Sequence, residues 1–253
     1  MINSKLNEID HLLEETPLKR DLWLEKGQIL ASQERFQEAI NAYSQGIVCD
    51  PFCAKAYLLR GRKYNSLLKY EEAIADFTMA TRLDPEERDN WYYYGVAFYM
   101  LRDYLRAAAV FERCLEVNIK YLPDELSPTL DWCWMTYNEL QDKENAARIL
   151  SMVDENLPCD PQFFWLEVYK RRLLLYKGVL NPDGFIDTEE LEKSDRPAVN
   201  YITQAYGLAN YLYGIGRVEE SNSILLRIKE IDSYHYSFAY VLALRDLKDR
   251  GIA

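Results

Sequence analysis

Apolar residues recur along this chain at intervals of three and four positions, the spacing that places them on one face of an α-helix. The segment WLEKGQILASQ (residues 23–33) has this spacing, and FQEAINAYSQGIV (residues 36–48) has it again after a short polar turn. Residues that favour turns are few, because the 253 residues include only 10 glycines and 9 prolines. That is too little turn chemistry for an all-β fold, so the pattern predicts an all-α chain of paired amphipathic helices.

The helix pairs return with a period of 34 residues in the first half of the chain. Each first helix carries an aromatic residue and then a glycine, and each second helix carries an alanine and then a bulky aromatic residue. The small residues let the paired helices approach closely, and the bulky residue fills the space between them. The columns are Trp23, Tyr57 and Trp91; Gly27, Gly61 and Gly95; Leu30, Tyr64 and Phe98; Ala39, Ala73 and Ala107; and Tyr43, Phe77 and Phe111.

These columns and their spacing resemble the tetratricopeptide repeat, and three consecutive units carry nearly the whole pattern. The resemblance implies an all-α fold in which antiparallel helix pairs stack side by side into a right-handed superhelical solenoid. It also implies that the first helix of each pair lines a concave groove. Members of this family use that groove to hold a peptide or a helix of another protein.

The pattern continues more loosely beyond the third unit. The columns reappear with a shift of 39, and the segment PQFFWLEVYKRRLLLYKG (residues 161–178) predicts a helix whose partner is missing or abbreviated. The shifted columns are Leu130, Tyr137, Ala146 and Leu150, with Trp134 in place of the small residue. The sequence predicts an N-terminal amphipathic helix (1–19), three well-formed units (20–121), a degenerate fourth unit (122–160), an irregular helix with a connector (161–196), and a last repeat-like unit with a capping helix (197–253).

Helical spacing also predicts which residues of the first helices face the groove instead of packing against neighbouring helices. They form an aliphatic and aromatic surface in which Arg62 is the evident cation. We therefore predict that an apolar peptide or helix of another protein binds there. The predicted groove residues are Leu24, Gln28, Leu58, Arg62, Asn65, Tyr92, Val96, Tyr99, Asp131, Met135 and Asn138.

One variant of the family grips the C-terminal carboxylate of chaperones with paired Lys, Asn and Arg side chains. The chain lacks those cations at the matching positions, and an aspartate there would repel a carboxylate. This disfavours a chaperone co-factor. The matching positions hold Leu24, Gln28, Leu59, Asp89 and Tyr93.

The charge of the chain narrows the class of partner. The net charge is −11, which disfavours nucleic acid and anionic membrane surfaces. The apolar positions of the first twenty residues are interrupted by charges, unlike those of a secretory signal, and no apolar run has the length of a membrane span. We predict a cytoplasmic protein without membrane insertion, whose partner is another protein, and which has the possibility of forming a homodimer.

Candidate catalytic and metal-binding chemistry is sparse. The spacing of the cysteines suits reduced, buried thiols, and the two histidines, His11 and His235, follow no ligand pattern. The sequence has no glycine-rich phosphate loop, no GxSxG and no HExxH motif. We therefore predict no catalytic residue, no metal and no cofactor. The cysteines are Cys49, Cys53, Cys114, Cys133 and Cys159.

The acidic stretch NPDGFIDTEEL (residues 181–191) is similar to a calcium-binding EF-hand loop. With Gly184 at the turn of such a loop, Glu190 would close the site, but the first ligand would be Val179, which has no side-chain oxygen. The alternative is a turn at Asn-Pro-Asp-Gly followed by a short helix that Asp187 caps. We favour the second interpretation, a connector.

The sequence thus predicts a non-enzymatic protein-interaction scaffold or adaptor. Two alternatives stay open: a homo-oligomeric structural protein whose groove is filled by its own terminal helices, and an enzyme with unrecognised chemistry. The layout of the C-terminal part is also similar to that of bacterial envelope adaptor lipoproteins built from these repeats. Those proteins carry a lipidated N-terminal cysteine, whereas the first cysteine here is Cys49.

Overall fold

The structure is a computed structural model that describes residues 2–231 and 234–252. Every regular element in those residues is helical, so the predicted all-α class is confirmed. The chain divides into two compact units, Met1–Cys114 (unit 1) and Leu115–Ala253 (unit 2), and the division falls within a helix. The boundaries of the five parts predicted from the sequence do not coincide with those of the two units, and the five-part division stays a prediction.

Unit 1 consists of helices joined by short loops. Short turns connect α2 to α3 and α4 to α5, so that each pair is antiparallel and packs along its length. The two segments whose periodicity predicts helices lie within α2 and α3. The helices are α1 (Ile2–Glu15), α2 (Arg20–Ser32), α3 (Phe36–Cys49), α4 (Ala54–Ser66), α5 (Tyr70–Leu83), α6 (Arg88–Met100) and α7 (Tyr104–Tyr121), which crosses the division between the units.

Glycine brings the two helices of each pair into direct contact. A Cβ atom added to Gly27 would lie 2.3 Å from Cε1 of Tyr43, well inside van der Waals contact. Because Tyr43 is buried, its ring occupies the space that a side chain on the first helix would need. The equivalent distances are 2.7 Å from Gly61 to Phe77 and 2.6 Å from Gly95 to Phe111. The predicted pairing of the glycine column with the bulky column is confirmed.

The turn inside each pair has a residue in the left-handed region of backbone conformation. Glu34, Leu68 and Arg102 have φ values of 59°, 59° and 63°, and they are 34 residues apart. The next such residue is Gln141 with φ 58°, which follows Arg102 by 39 residues. The turn geometry therefore confirms the longer spacing that the sequence predicts for the fourth unit.

Helix α1 takes the place of the second helix of a preceding pair. The indole Nε1 of Trp23 donates a hydrogen bond of 2.8 Å to the carbonyl oxygen of Pro17, directly after α1. The same contact recurs one and two periods later, from the hydroxyl of Tyr57 to Pro51 at 3.1 Å and from Nε1 of Trp91 to Pro85 at 2.9 Å. The loop after α1 is therefore fastened to α2 as each later loop is fastened to the next first helix.

A second polar contact repeats with the same period and supports this register for α1. It joins a second helix to the first helix that follows it, and in each case the two residues are 16 positions apart. The contacts are Asp10 Oδ1 to Lys26 Nζ at 2.5 Å, Ser44 Oγ to Arg60 Nη1 at 3.0 Å, and Thr78 Oγ1 to Tyr94 OH at 3.0 Å. The sequence predicts only an amphipathic helix here, and its register with the repeats is a finding of the structure.

Unit 2 keeps the helix pairs but joins them less regularly. Helices α8 and α9 form one pair and α12 and α13 another, while α10 packs against α8 and α12. The short α11 packs against α12, and the sequence-based expectation of a missing or abbreviated partner for α10 stays a prediction. The helices are α8 (Leu126–Glu139), α9 (Lys143–Ser151), α10 (Phe164–Tyr176), α11 (Thr188–Glu192), α12 (Pro197–Gly214), α13 (Val218–Lys229) and α14 (Phe238–Asp249), with a 3-10 turn at Pro123–Glu125 before α8.

The stretch that is similar to a calcium loop connects α10 to α11. The carboxylate of Asp187 accepts a hydrogen bond of 3.0 Å from the backbone N–H of Glu190, so the predicted cap of the short helix is confirmed. Phe185 is buried in a cluster with leucines of α10 and α12. Asp183, which would be an early calcium ligand, lies 2.9 Å from Nη2 of Arg217. An arginine thus already neutralises this carboxylate, and the stretch serves as a connector.

Candidate functional site

A cleft of about 760 Å³ lies along α2, the first helix of the first helix pair in unit 1. One wall of the cleft comes from α1, and the other comes from the start of α4. Gln28 is exposed within it, and Leu24 forms part of its apolar floor. The lining residues are Lys5, Arg20, Asp21, Leu24, Glu25, Gln28, Ile29, Ser32, Cys53 and Lys55.

The carboxylates in this cleft are neutralised by neighbouring cations. Glu25 lies 2.6 Å from Nζ of Lys5, and their hydrogen bond raises the pKa of Lys5. Asp21 lies 2.8 Å from Nη2 of Arg20, whose Nη1 also reaches Asp50 at 2.6 Å. Because both acidic side chains have partners, the cleft does not repel negative charge as strongly as the composition of the chain suggests.

Helix α4 carries two cations, Lys55 and Arg62, whose surroundings differ from those of Lys5 and Arg20. Lys55 is exposed at the wall of the cleft, and Arg62 lies two turns further along the same face, with its guanidinium carbon 4.5 Å from the centre of the Tyr93 ring. Neither side chain has a carboxylate within ion-pair distance in the described part of the chain. Their charges are therefore available to a partner.

Lys63, the neighbour of Arg62, turns away from this face. Its Nζ lies 4.9 Å from the centre of the Phe36 ring at the start of α3. Burial lowers the pKa of Lys63 to about 8, and the charge of Arg62 adds to the effect. One period earlier the same position is Ile29, so a lysine here occupies a place that an apolar residue fills between α1 and α2.

The structure places the predicted groove residues of unit 1 in two groups. Gln28 and Arg62 have accessible side chains, whereas Leu24 and Leu58 are only 7% and 8% exposed. Asn65 is buried on α4. The accessible members and the cleft floor lie on α2 and α4.

The three aromatic and aliphatic side chains on α6 that are predicted to anchor a partner are buried. Tyr92 is 7% exposed, and Val96 and Tyr99 are 0% exposed. Helix α6 is buried on every side from Gly95 to Met100, as expected of a run of apolar residues without polar interruption. The structure therefore corrects the expectation that these side chains line an open surface, because they belong to the core.

The predicted residues of unit 2 also differ in accessibility. Asn138 is exposed, but Asp131 is 0% exposed and Met135 is 3% exposed. Asp131 Oδ2 lies 3.0 Å from Nη2 of Arg172 on α10, a guanidinium that is itself buried. The structure thus makes Asp131 part of a buried ion pair, where sequence analysis expects a groove residue.

The surroundings of Arg172 are polar but enclosed. Its Nη2 donates to the hydroxyl of Tyr176 at 3.0 Å and contacts the sulfur of Met135 at 3.2 Å. A Cβ atom on Gly207 would lie 2.4 Å from Nε of Arg172, so glycine makes room for the guanidinium beside α12. Burial raises the pKa of Asp131 to about 7, against the opposing charge of Arg172.

Sequence reasoning misses two of these features. Lys55 becomes visible when the repeats are aligned, because its position holds a charged residue in all three units. That residue is Asp21 one period earlier and Asp89 one period later. The signal for Arg172 is a charge inside the apolar run of α10, but its partner Asp131 lies in another hairpin, outside the 34-residue register.

The described residues do not bring three or more His, Cys, Asp or Glu side chains together in the way that a metal site would. Within the same ranges, no helix combines the length and the apolar character needed to cross a membrane.

Comparison with known proteins identifies the repeats. Residues 6–52 and 58–116 match the family model described as Tetratricopeptide repeat. A segment of 89 residues is 35% identical to a UDP-N-acetylglucosamine--peptide N-acetylglucosaminyltransferase of Giardia intestinalis, covering 34% of this chain. The match spans only 6% of the length of that enzyme.

Solved structures share the fold. The structure of a tetratricopeptide repeat protein from Parabacteroides merdae matches 96% of this chain and 92% of its own chain, with 17% identity and a TM-score of 0.62. The crystal structure of MamA matches 58% of this chain and 84% of its own, with 16% identity and a TM-score of 0.54. The family match, with the recurring glycine, aromatic and turn positions, establishes that residues 6–52 and 58–116 are tetratricopeptide repeats, and the solved structures show that the chain has the fold of such proteins.

Proposed function

We propose that the chain is a non-enzymatic protein-interaction module that holds a peptide or a helix of another protein along α2 and α4. The observation that carries this proposal is the cleft of about 760 Å³ on α2, a first helix of the repeat, with exposed polar side chains at its rim. The transferase activity of the Giardia enzyme is not part of the proposal, because the matching segment is 6% of that enzyme.

The chemistry of the bound segment follows from which side chains are accessible. Burying one large apolar side chain supplies about 1.5–3 kcal/mol, and association costs about 4–15 kcal/mol, so several anchors are needed. Leu24 and Leu58 are already largely buried and contribute little more on binding. The apolar part of the interaction is therefore modest in this structure, and polar contacts at Gln28, Arg62 and the cleft rim complement it.

A substitution that fills the cleft tests this proposal. Peptides are first selected from a displayed random library on the whole chain, and their affinity is then measured by fluorescence anisotropy. Gln28→Trp should weaken the selected peptides at least tenfold, because the indole occupies the cleft. The matched control is Gln37→Trp, which adds the same ring at an exposed position of α3 outside the cleft. Equal binding by both variants would refute the cleft as the site.

Self-association is a second candidate, favoured by one exposed surface of unit 1. Leu18 and Phe52 are 79% and 80% exposed on the loops before α2 and α4, and Val48 is also exposed. The end of α3 lies beside the loop before α2, since Cys49 Sγ is 3.7 Å from the carbonyl oxygen of Pro17. Exposed apolar side chains of this kind are typical of interfaces. Light scattering after size exclusion at two concentrations, on the natural chain and on Leu18→Ser/Phe52→Ser, measures the contribution of this surface.

A further inference from the structure

The cations on the accessible face of unit 1 are not equivalent. Lys5, Arg20 and Lys26 each have an ion-pair partner within 2.6 Å, in Glu25, Asp50 and Asp10 respectively. Lys55 and Arg62 on α4 have none in the described ranges, and the guanidinium of Arg62 lies over the Tyr93 ring. The chain has a net charge of −11, and these two cations without carboxylate partners lie about two turns apart on one helix.

The two cations share one face of α4 with two leucines. The segment KAYLLRGR (residues 55–62) places Lys55, Leu58, Leu59 and Arg62 at spacings of three, one and three residues. On an α-helix these positions form one stripe, because seven residues make almost two full turns. Leu59 is partly exposed between the cations, while Leu58 is buried beneath them. The stripe thus reads cation, apolar pair, cation.

We propose that this stripe binds an acidic amphipathic helix within the chain of a partner protein, with one carboxylate side chain at Lys55 and a second at Arg62. The inference rests on the proposed function, since it names the class of segment that the same face holds. The complementary pattern is Glu-x-x-Leu-Leu-x-x-Glu, in which the two glutamates are seven positions apart and the leucines meet Leu59.

The spacing of the cations decides between side-chain carboxylates and a chain terminus. Seven residues of helix rise about 10 Å, and the guanidinium of Arg62 lies over the Tyr93 ring, so separate carboxylates suit the two cations better than one shared carboxylate. Each therefore takes a separate acidic side chain. A partner helix with glutamates seven positions apart presents them at the same separation of about 10 Å on one face, whereas glutamates four positions apart are about 6 Å apart.

The test uses synthetic 16-residue alanine- and glutamine-based helical peptides, acetylated and amidated, and the whole chain. One peptide carries Glu-x-x-Leu-Leu-x-x-Glu, a second has glutamine in place of both glutamates, and a third has the glutamates four positions apart. A fourth is the glutamine peptide with a free C-terminus. Affinities are measured by fluorescence anisotropy at low and at physiological salt, because pairs of accessible charges are screened by salt.

Two charge-reversal variants give matched protein controls. Lys55→Glu/Arg62→Glu reverses the stripe, and Lys69→Glu/Arg82→Glu makes the same change of net charge at exposed positions of unit 1 outside it. The milder Lys55→Gln/Arg62→Gln keeps the test decisive if reversal disturbs folding, which thermal unfolding followed by circular dichroism reports. A peptide with lysines in place of both glutamates tests for rescue on the reversed stripe.

The proposal expects the glutamate peptide to bind about threefold to thirtyfold more tightly than the glutamine peptide, with the difference shrinking at higher salt. Reversal of the stripe should abolish this preference and transfer it to the lysine peptide, while the control variant keeps it. Equal binding of the glutamate and glutamine peptides, equal loss in both reversal variants, or tightest binding by the free C-terminus would each overturn it. If library-selected peptides still lose affinity with Gln28→Trp, such a result refutes the acidic helix and leaves the proposed function standing.

Discussion

The two units each contain an arginine–aspartate pair with a buried carboxylate, and the pairs differ in geometry. In unit 1, Arg60 on α4 meets Asp76 on α5 through two hydrogen bonds, Nε to Oδ2 at 2.8 Å and Nη2 to Oδ1 at 2.7 Å. In unit 2, Arg172 Nη2 lies 3.0 Å from Asp131 Oδ2, yet neither oxygen of Asp131 accepts a well-formed hydrogen bond from the described residues. The first pair is a bidentate salt bridge, whereas the second is an ion pair without a well-formed hydrogen bond among the described residues.

This difference shows what the regular repeat contributes. Burial raises the pKa of Asp76, but the bidentate salt bridge from Arg60 opposes it. Burial raises the pKa of Asp131 to about 7, where the Arg172 charge is the main opposing effect. Adjacent helices of a regular pair hold the two side chains in register, so the carboxylate is hydrogen-bonded. The irregular stacking of α8 and α10 brings charge to charge without that alignment.

The largest expected effect comes from breaking the unit 2 pair. Arg172→Met should lower the free energy of unfolding by about 3–5 kcal/mol at pH 8, because Asp131 loses its counter-charge and must take up a proton to stay buried. Urea denaturation followed by circular dichroism measures the loss. The double variant Asp131→Asn/Arg172→Met should recover a substantial part of it, and a double variant as unstable as the single one would contradict this electrostatic explanation.

The pH dependence of stability is the next largest effect. The folded-state pKa of Asp131 is raised above its ordinary value of 3.8, so its contribution to stability is fully present below about pH 4 and is lost as the pH rises through about 7. The natural chain should therefore lose stability relative to Asp131→Asn over that interval, by at most about 4 kcal/mol. Urea denaturation of both proteins at pH 4, 5.5, 7 and 8 gives the difference, and a flat difference would contradict the buried pair as its source.

Glycine substitutions distinguish close contact from open helix surface. Gly61→Ala should destabilise unit 1 by about 1–3 kcal/mol, since its Cβ would lie 2.7 Å from Cε1 of Phe77. Gly214→Ala at the end of α12 is the control, because a Cβ there meets no atom within 4 Å, and it should be neutral or stabilising. Thermal unfolding of the two variants measures the contrast. A neutral Gly61→Ala would mean that Phe77 moves freely, against the packing described for the pair.

The smallest effect concerns the turns. Leu68→Gly should stabilise unit 1 by about 0.5–1 kcal/mol, because Leu68 adopts φ 59°, which glycine adopts without strain. The adjacent Leu67 has φ −94°, so Leu67→Gly should destabilise instead. The corresponding turn between α12 and α13 of unit 2 already has Gly216 at φ 85°, and Gly216→Leu should cost a similar amount. Urea midpoints of the three variants test the set.

The sequence predicts the parts of the molecule that depend on local repetition. Helix pairs, the contact of Gly27 with Tyr43, and the 39-residue shift marked by Gln141 all follow from residues that recur at fixed intervals. The sequence does not reveal that α1 shares the register of the repeats, because Ile9 occupies the position at which the later second helices have an aromatic residue. Its register becomes visible only through contacts such as Asp10 with Lys26.

The candidate site is predicted less well. Periodicity shows which residues share one face of a helix, but it does not show whether another helix packs on that face. Tyr99 and Val96 have the spacing of groove residues, yet both are buried. Gln28 and Arg62 are accessible, and Lys55 joins them although its column alternates in charge along the repeats. Contacts between helices of different pairs, such as Arg172 with Asp131, have no periodic signature at all.

A hydrogen bond from an aromatic side chain to the carbonyl oxygen of a proline recurs where the loops before α2, α4 and α6 meet those helices. The three connections between successive helix pairs therefore share one contact. A duplicated block of 34 residues, inserted after Pro51, would find at both of its ends the partners that its parent already has. Lengthening the array by copying therefore requires no new interface to evolve, and each copy is free to change the outward residues of its first helix while the shared contact stays intact.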